Sequence, residues 1–227
     1  MHERLTIDPG RAALLLVDLQ EEQRQDPVYS VEGIDDVLGN ARRLLLGARE
    51  RGLAVIHAAY VRDFAKRPPR PFEPRAADGA ATFSDSRSPL TQICREVAPA
   101  DGEPVIVKND ASAFSEGDLD PFLSQAGIEW LIVAGVWTEA CVAATVRDAM
   151  ASGFRVLLVK DACGSATAAM HQTGVLNLAN RLYGGAVADT ERALVLMAGK
   201  KAEVWIAERP APIAFTYADA GAAYDAL

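Results

Sequence analysis

Apolar and polar residues follow two alternating patterns along this chain, which predict strands separated by helices. Short runs that are apolar at nearly every position are typical of strands buried on both faces of a parallel sheet. Such runs span residues 12–17, 53–60, 104–107, 130–134, 154–159 and 186–188. Helical spacing of apolar residues occupies 34–51, 89–97, 119–126, the stretch after Thr138, 168–183 and 190–198. The alternation predicts an α/β fold with three α/β/α layers around a doubly wound, mostly parallel six-stranded sheet of Rossmann-like topology.

The chain is expected to form one domain over residues 1–227, because half of its residues are hydrophobic and can bury a full core. Residues 62–87 form an unusually long connection, rich in proline and cations, which is either a lid over a site or a solvated excursion. From residue 202 onward, the run VWIA predicts an edge strand. The tail that follows contains Phe215, Tyr217 and Tyr224, which we expect to pack on the body or at an oligomer interface.

Composition narrows the class of protein. A formal net charge of -8 argues against a nucleic-acid surface, which needs an excess of Lys and Arg. The N-terminal residues are charged and lack the apolar core of a signal peptide, and no later run is long enough to span a membrane. The three cysteines, Cys94, Cys141 and Cys163, have no paired spacing, so neither a disulfide framework nor a zinc site is indicated. We therefore expect a cytoplasmic protein that binds neither nucleic acid nor a membrane.

The most informative stretch runs from residue 130 to residue 148 and reads WLIVAGVWTEACVAATVRD. It predicts a buried strand, broken by Gly135, that turns directly into a helix with Thr138 as its N-cap. Cys141 would then lie about one turn into the helix, where amide donors and the helix dipole favour a thiolate with a pKa between roughly 3.5 and 7.5. The alternative is that Cys141 is a small apolar residue packing the helix onto the sheet.

Charged residues close two other predicted strands. Asp18 ends the first strand and Lys108 ends the third. Because the carboxyl ends of parallel strands share one edge of a doubly wound sheet, Asp18, Lys108 and Cys141 are expected to meet there as a nucleophilic site. Taken singly, Asp18 could instead cap a turn and Lys108 could be a solvated loop cation.

Three sequence blocks carry a family resemblance. The segments LLLVDLQ, VKNDASAF and AGVWTEACVAATVRDA resemble the signature blocks of the isochorismatase-like cysteine hydrolases, a family that includes the amidohydrolases related to N-carbamoylsarcosine amidohydrolase. The resemblance implies a catalytic triad of Asp18, Lys108 and Cys141. It also implies a cis peptide bond between Val136 and Trp137, and an oxyanion hole formed by the backbone N–H groups of Trp137 and Cys141.

The resemblance implies a cysteine-dependent hydrolase that cleaves the C–N bond of a small carboxamide, ureido or carbamoyl compound through a thioester and releases ammonia. No cofactor is implied, and relatives of this kind are commonly homo-oligomers, dimers or tetramers. Two alternatives are a vinyl ether hydrolase of the isochorismatase type and a non-catalytic binding protein that retains the fold. A retained Cys141 favours C–N hydrolysis, because vinyl ether cleavage does not need the cysteine.

Several other side chains are candidates for substrate binding. Trp137 and Phe114 are expected to wall the pocket, with Tyr60 and Phe64 as further candidates, and Gln20 is expected to orient Asp18. The predicted substrate-binding set is Gln20, Tyr60, Phe64, Phe114, Trp137 and His171. The cations Arg62, Lys66, Arg67 and Arg70 could recognise a substrate carboxylate, although such a charged loop is more often simply solvated.

Histidine chemistry is not favoured. His57 lies inside a predicted strand and is expected to be a core residue, whereas His171 begins a helix and is a candidate for lining the pocket. The nicotinamidase branch of the family holds a divalent cation with a pair of histidines after the second strand, and here that region reads HAAYVRDFAKR without such a pair. We therefore predict no metal site.

Overall fold

One mixed sheet forms the middle layer of the protein in the computed structural model, which describes residues 1–77, 79 and 82–227. Its strands are β1 (His2–Leu5), β2 (Ala12–Val17), β3 (Ala54–Tyr60), β4 (Val105–Lys108), β5 (Trp130–Val136), β6 (Arg155–Gly164), β7 (Ala186–Ala188) and β8 (Ala202–Trp205). They lie in the order β1-β8-β7-β6-β5-β2-β3-β4. The strands from β7 to β4 are parallel, whereas β8 is antiparallel to β7 and β1 is antiparallel to β8.

Helices cover both faces of this sheet. They are α1 (Glu22–Gln25), α2 (Ile34–Arg51), α3 (Leu119–Gln125), α4 (Ala143–Ala151), α5 (Ala168–Ala179), α6 (Thr190–Met197) and α7 (Ala220–Asp225). Apolar residues of α2 and α6 join one core cluster, and those of α3, α4 and α5 join the other. A π-helical turn, Thr138–Val142, precedes α4. No helix among the described residues has the length and apolarity needed to cross a membrane.

The predicted three-layer, mostly parallel fold is confirmed, but the strand count of six was wrong, because the sheet has eight strands. The run predicted as an edge strand pairs on both sides, since β8 lies between β7 and β1. The edge strand β1 was missed because its sequence HERL is charged and largely exposed, as edge strands commonly are. The helix predicted at 89–97 is instead two 3₁₀ turns, Pro89–Thr91 and Arg95–Val97.

The direction in which successive strands are added to the sheet reverses between β2 and β5. The chain proceeds outward from β2 to β3 and β4, then returns to lay β5 on the other side of β2. At the carboxyl ends, Gly135 of β5 lies opposite Val17 of β2. Gly135 has a φ of 135°, and a Cβ added there would lie 2.1 Å from the Val17 carbonyl oxygen. Only glycine therefore allows this approach, which brings the ends of β2 and β5 together.

Replacing Gly135 tests how much the fold depends on this approach. We expect Gly135→Ala to lower the free energy of unfolding by at least about 2 kcal/mol, because the methyl group would overlap the Val17 backbone and φ is positive. Gly153→Ala is the matched control, since Gly153 has a φ of 92° but a Cβ added there would meet no atom within 4 Å. Urea unfolding of both variants measures the difference. Equal losses in the two variants would contradict a special packing role for Gly135.

Candidate active site

A buried ion pair forms the floor of the candidate site. Asp18 follows β2 directly and Lys108 is the last residue of β4; Asp18 is 3% exposed and Lys108 is fully buried. Lys108 Nζ lies 2.7 Å from Asp18 Oδ2 and also donates to the Asp110 carbonyl oxygen at 3.2 Å. The same Nζ is 4.4 Å from the centre of the Tyr60 ring, a cation–π contact. These three contacts hold the Lys108 ammonium in place.

The backbone and charge of Asp18 are both unusual. Its φ is 52°, in the left-handed region that non-glycine residues seldom occupy and that is enriched at functional sites. Burial raises the pKa of the Asp18 carboxyl, although Lys108 and the Cys141 thiol act in the opposite direction. Apart from the ion pair, neither carboxylate oxygen accepts a well-aligned hydrogen bond from the part of the chain that is described. Asp18 therefore retains the capacity to accept a proton.

Cys141 lies in the π-helical turn, where its thiol is partly exposed and faces Asp18 and Lys108. Burial and the charge of Asp18 raise the pKa of the thiol to about 12, and Lys108 offsets only part of this. The expectation of a thiolate at neutral pH was therefore wrong, because desolvation and the adjacent carboxylate outweigh the helix N-terminus. Thr138 was also wrongly predicted as the N-cap, since its hydroxyl donates to the Gly164 carbonyl oxygen at 3.0 Å.

Asp18 and Cys141 border a cavity of about 190 Å³ that opens to the surface. Its lining consists of Asp18, Glu22, Gln23, Tyr29, Tyr60, Phe83, Ser84, Val136, Trp137, Ala140 and Cys141. The peptide bond between Val136 and Trp137 is cis. The Trp137 indole N–H donates to Gln23 Oε1 at 2.7 Å, which fixes the ring at the cavity wall.

Gln20 acts on Tyr60 and does not line the cavity. Its Oε1 accepts from the Tyr60 backbone N–H at 2.8 Å, and its Nε2 donates to the carbonyl oxygens of Tyr60 at 3.1 Å and of Thr91 at 2.7 Å. Its link to Asp18 runs through the main chain, where the Gln20 N–H donates to the Asp18 carbonyl oxygen at 2.9 Å. Gln20 therefore clamps the end of β3, which holds the Tyr60 ring over Lys108, and its predicted contact with substrate stays a prediction.

Three other predicted substrate-binding residues lie away from the cavity lining, and two of them are phenylalanines. Phe114 packs against the Phe154 ring, with 6.1 Å between ring centres, and belongs to the core. Phe64 lies 4.6 Å from the Arg62 guanidinium. The structure does not bring these two rings to the cavity lining, because one packs against the core and the other packs on a loop cation.

His171, the third of these residues, is held under the C-terminal helix. Its Nδ1 pairs with the Thr138 hydroxyl at 2.8 Å and its Nε2 with the Tyr224 hydroxyl at 3.1 Å. Burial lowers the pKa of His171 to about 4. Both ring nitrogens are used to dock α7 and the π-helical turn, and the predicted role of His171 in substrate binding stays a prediction. Of the tail aromatics, Phe215 and Tyr224 pack on the body, whereas Tyr217 is exposed.

The four loop cations that could have bound a substrate carboxylate are all paired with acids. Arg62 pairs with Glu73, Lys66 with Asp63, Arg67 with Glu116 and Arg70 with Asp110. None of these cations lines the cavity. The segment 62–87 was predicted as a lid or a solvated excursion. Its residues Phe83 and Ser84 contribute to the cavity wall, and its residues 78, 80 and 81 lie outside the described part of the chain.

Sequence reasoning missed five lining residues outside the segment that carries the cysteine, and Glu22 is the most polar of them. Glu22 and Gln23 follow the block LLLVDLQ within a few residues, so proximity to Asp18 was the available signal. Phe83 and Ser84 come from the long loop, and Tyr29 from the segment after α1. The Glu22 carboxylate accepts hydrogen bonds from the Ser84 N–H at 2.8 Å and from the Ser84 hydroxyl at 2.7 Å.

Histidine, cysteine and acidic side chains are the groups that could ligate a metal in this chain. His57 is buried, as expected of a core histidine, and its Nε2 lies 3.1 Å from Glu103 Oε2. Within the described ranges, the group able to hold a metal is Glu21, Cys94 and Glu96. The Arg24 guanidinium already lies 3.7 Å from Glu21 and 3.0 Å from Glu96, and none of the group lines the cavity.

Residues 12–192 match the isochorismatase domain family. The chain is 30% identical to maleamate amidohydrolase of Pseudomonas putida over 187 residues, which is 78% of this chain and 83% of that enzyme. It is 32% identical to N-carbamoylsarcosine amidase of an Arthrobacter species, covering 76% of this chain and 66% of the relative. The crystal structure of a cysteine hydrolase from Pseudomonas syringae shares the fold, with a TM-score of 0.75, 20% identity and coverage of 86% and 95% of the two chains.

The influence of Asp18 on the thiol can be tested by alkylation. We expect Asp18→Asn to lower the pKa of Cys141, because the variant removes the carboxylate charge and leaves Lys108 unopposed. At pH 7.5 the thiolate fraction of Cys141 should rise about tenfold for each unit by which the pKa falls, and the rate of its alkylation by iodoacetamide should rise by a smaller factor, because a less basic thiolate is a weaker nucleophile. Peptide mapping by mass spectrometry measures the rate, with buried Cys94 and Cys163 as internal references. An unchanged or slower rate at Cys141 would show that Asp18 does not control the thiol.

Proposed function

The chain belongs to the isochorismatase domain family, and from that premise we propose that it is a cysteine-dependent hydrolase of small amides, ureido compounds or carbamoyl compounds. The observation that carries the proposal is the Asp18–Lys108 ion pair, with 2.7 Å between Nζ and Oδ2, whose carboxylate lines the same cavity as Cys141 while Lys108 is buried behind it. Acyl transfer requires a carboxylate that accepts a proton, a fixed cation and a nucleophile. The relatives that act on maleamate and N-carbamoylsarcosine support a C–N bond as the target.

The first step is attack by sulfur on the substrate carbonyl carbon. Because the thiol is protonated at neutral pH, its proton moves to the Asp18 carboxylate as the C–S bond forms. Asp18 has unfilled acceptor positions for this proton. Lys108 lies against the carboxylate throughout and keeps it oriented towards the sulfur.

The tetrahedral intermediate carries a negative oxygen that needs donors. Across the described residues, no protein acceptor pairs with the backbone N–H of Trp137. This N–H and that of Cys141 are the proposed oxyanion hole. When the intermediate collapses, protonated Asp18 gives its proton to the departing nitrogen, the C–N bond breaks, and a thioester with Cys141 is left. Asp18 then takes a proton from water, whose oxygen attacks the thioester carbonyl carbon. The C–S bond breaks, the acid is released, and Asp18 returns the proton to the Cys141 sulfur.

A vinyl ether substrate is less compatible with this site. Vinyl ether cleavage offers no carbonyl carbon for the Cys141 sulfur to attack, so the thiol beside Asp18 and Lys108 would have no function. A non-catalytic role would likewise leave the buried pair without a purpose, although burying two charges is costly. The arrangement therefore favours amide hydrolysis over both alternatives.

The central prediction is that Cys141→Ala abolishes turnover and leaves the fold intact. We expect kcat for ammonia release to fall at least about 1,000-fold, as when other covalent nucleophiles are removed. The assay is a screen of small carboxamides, ureas and carbamoyl acids, followed by kinetics on the best substrate. Cys163→Ala, which removes a buried thiol that does not line the cavity, is the matched control and should retain activity. A folded Cys141→Ala protein with wild-type turnover would rule out the thioester route.

The pH dependence of kcat/KM provides a second test. Asp18 must be ionised to accept the thiol proton, so activity should fall as the pH drops through its pKa. Because burial raises that pKa, the acid limb should lie above the ordinary aspartate value of about 3.9. Asp161→Asn is the control, because Asp161 also has a pKa raised by burial but bonds to Thr190, outside the cavity. A limb that moves in Asp161→Asn, or one at or below the ordinary value, would contradict the assignment to Asp18.

A further inference from the structure

We propose that Glu22 and the aromatic rings beside it bind a positively charged group of the substrate, so that the preferred substrates are small cationic amides. The proposal deepens the function proposed above and rests on it, because it assigns the non-reacting end of the amide that Cys141 attacks. It concerns the wall of the cavity formed by α1 and the segment at Phe83 and Ser84.

Glu22 is a buried carboxylate at the cavity wall, 5% exposed. Ser84 donates one hydrogen bond to each of its oxygens, at 2.8 and 2.7 Å. Within residues 1–77, 79 and 82–227, no Lys, Arg or His nitrogen lies within 4.0 Å of this carboxylate. An ionised carboxylate offers about four acceptor positions, so Ser84 leaves capacity for further donors. A buried carboxylate without a cation of its own is a binding site for one supplied by a ligand.

Aromatic rings surround this part of the cavity. The Phe83 ring centre lies 5.5 Å from that of Tyr29 and 5.7 Å from that of Tyr60, and all three rings line the cavity. The faces of aromatic rings attract cations, and a group of rings with one carboxylate is the usual way to bind an organic ammonium. The rings would also shelter the alkyl part of such a ligand.

The charge of the cavity excludes the opposite class of substrate. Lys108 is paired with Asp18, and Arg62, whose guanidinium lies 5.1 Å from the Phe83 ring centre, is paired with Glu73. The Cys141 thiol is protonated at neutral pH. Glu22 therefore leaves the cavity with a net negative charge, and a substrate carboxylate would be buried beside it without a partner. Maleamate carries a carboxylate, so the substrate class inferred here differs from that of the relative named for it.

The cavity is small. Its volume is about 190 Å³ and it opens to the surface. A short chain between the amide and the cation fits this volume. The matched amides for a test are therefore 4-aminobutanamide, its neutral isostere pentanamide, and the anionic succinamate.

A purely structural role for Glu22 is the alternative. Its two hydrogen bonds anchor Ser84, whose φ of 54° lies in the left-handed region, and this anchoring alone would justify a polar side chain. Anchoring does not require a negative charge, because a glutamine can accept from the Ser84 N–H and donate to its hydroxyl. The variant Glu22→Gln therefore removes the charge and retains the anchor.

The turnover experiment compares kcat/KM for the three amides. In the wild type we expect 4-aminobutanamide to exceed pentanamide by about tenfold or more, and succinamate to be the poorest. In Glu22→Gln the ratio of the cationic to the neutral amide should fall towards one. Glu21→Gln, which removes a neighbouring charge paired with Arg24 outside the cavity, should keep the wild-type ratio. A preference for succinamate, or an unchanged ratio in Glu22→Gln, would overturn the proposal.

A binding experiment separates this proposal from the function on which it rests. Butylammonium and butanoate are tested for protection of Cys141 from iodoacetamide, which requires no hydrolysis. We expect butylammonium to protect at concentrations at least about tenfold lower than butanoate, and Glu22→Gln to remove the difference. Equal protection by both ions in the wild type would overturn the cation site even if amides are hydrolysed. Selective protection without turnover of any amide would retain the cation site and reject the hydrolase.

Discussion

The buried ion pair between Asp18 and Lys108 is the interaction on which the site depends. Removing two charges from water costs several kcal/mol per ion in real proteins, and their attraction repays this only with good geometry. Here the geometry is provided by the sheet, because β2 and β4 end at the same edge with β3 between them. Tyr60, at the end of β3, covers Lys108 and is itself clamped by Gln20. The cost of burial is thus offset by contacts that also fix both charged groups.

This pair determines the state of the nucleophile. A cysteine near the start of a helix would ordinarily be acidified, but the Cys141 turn is π-helical and the thiol is desolvated beside a carboxylate. The thiol proton is therefore held at neutral pH, and the carboxylate that raises the thiol pKa is the group placed to accept that proton. The proton donor and its acceptor are thus neighbours before any substrate binds.

Much of the fold and the reactive half of the site could be predicted from the sequence. Asp18 and Cys141 follow the buried strands β2 and β5, Lys108 ends the partly exposed edge strand β4, and parallel strands bring their carboxyl ends together, so the sequence pattern was enough to suggest that they meet. The pKa of Cys141 could not be predicted, because it depends on burial and on the distance to Asp18. Strand β1 was hidden by its charged, exposed sequence, since it is held by pairing with β8 and not by a buried face.

The specificity half of the site could not be predicted, for a related reason. Glu22 and Ser84 are 62 positions apart and meet only because the long segment after β3 folds back over α1. No periodic pattern in the sequence predicts this contact. The reactive groups are thus supported by the sheet, whereas the side chains that would touch the rest of a substrate are supplied by α1 and by loops. Substitutions in these loops can therefore change substrate choice without disturbing the Asp18–Lys108 pair.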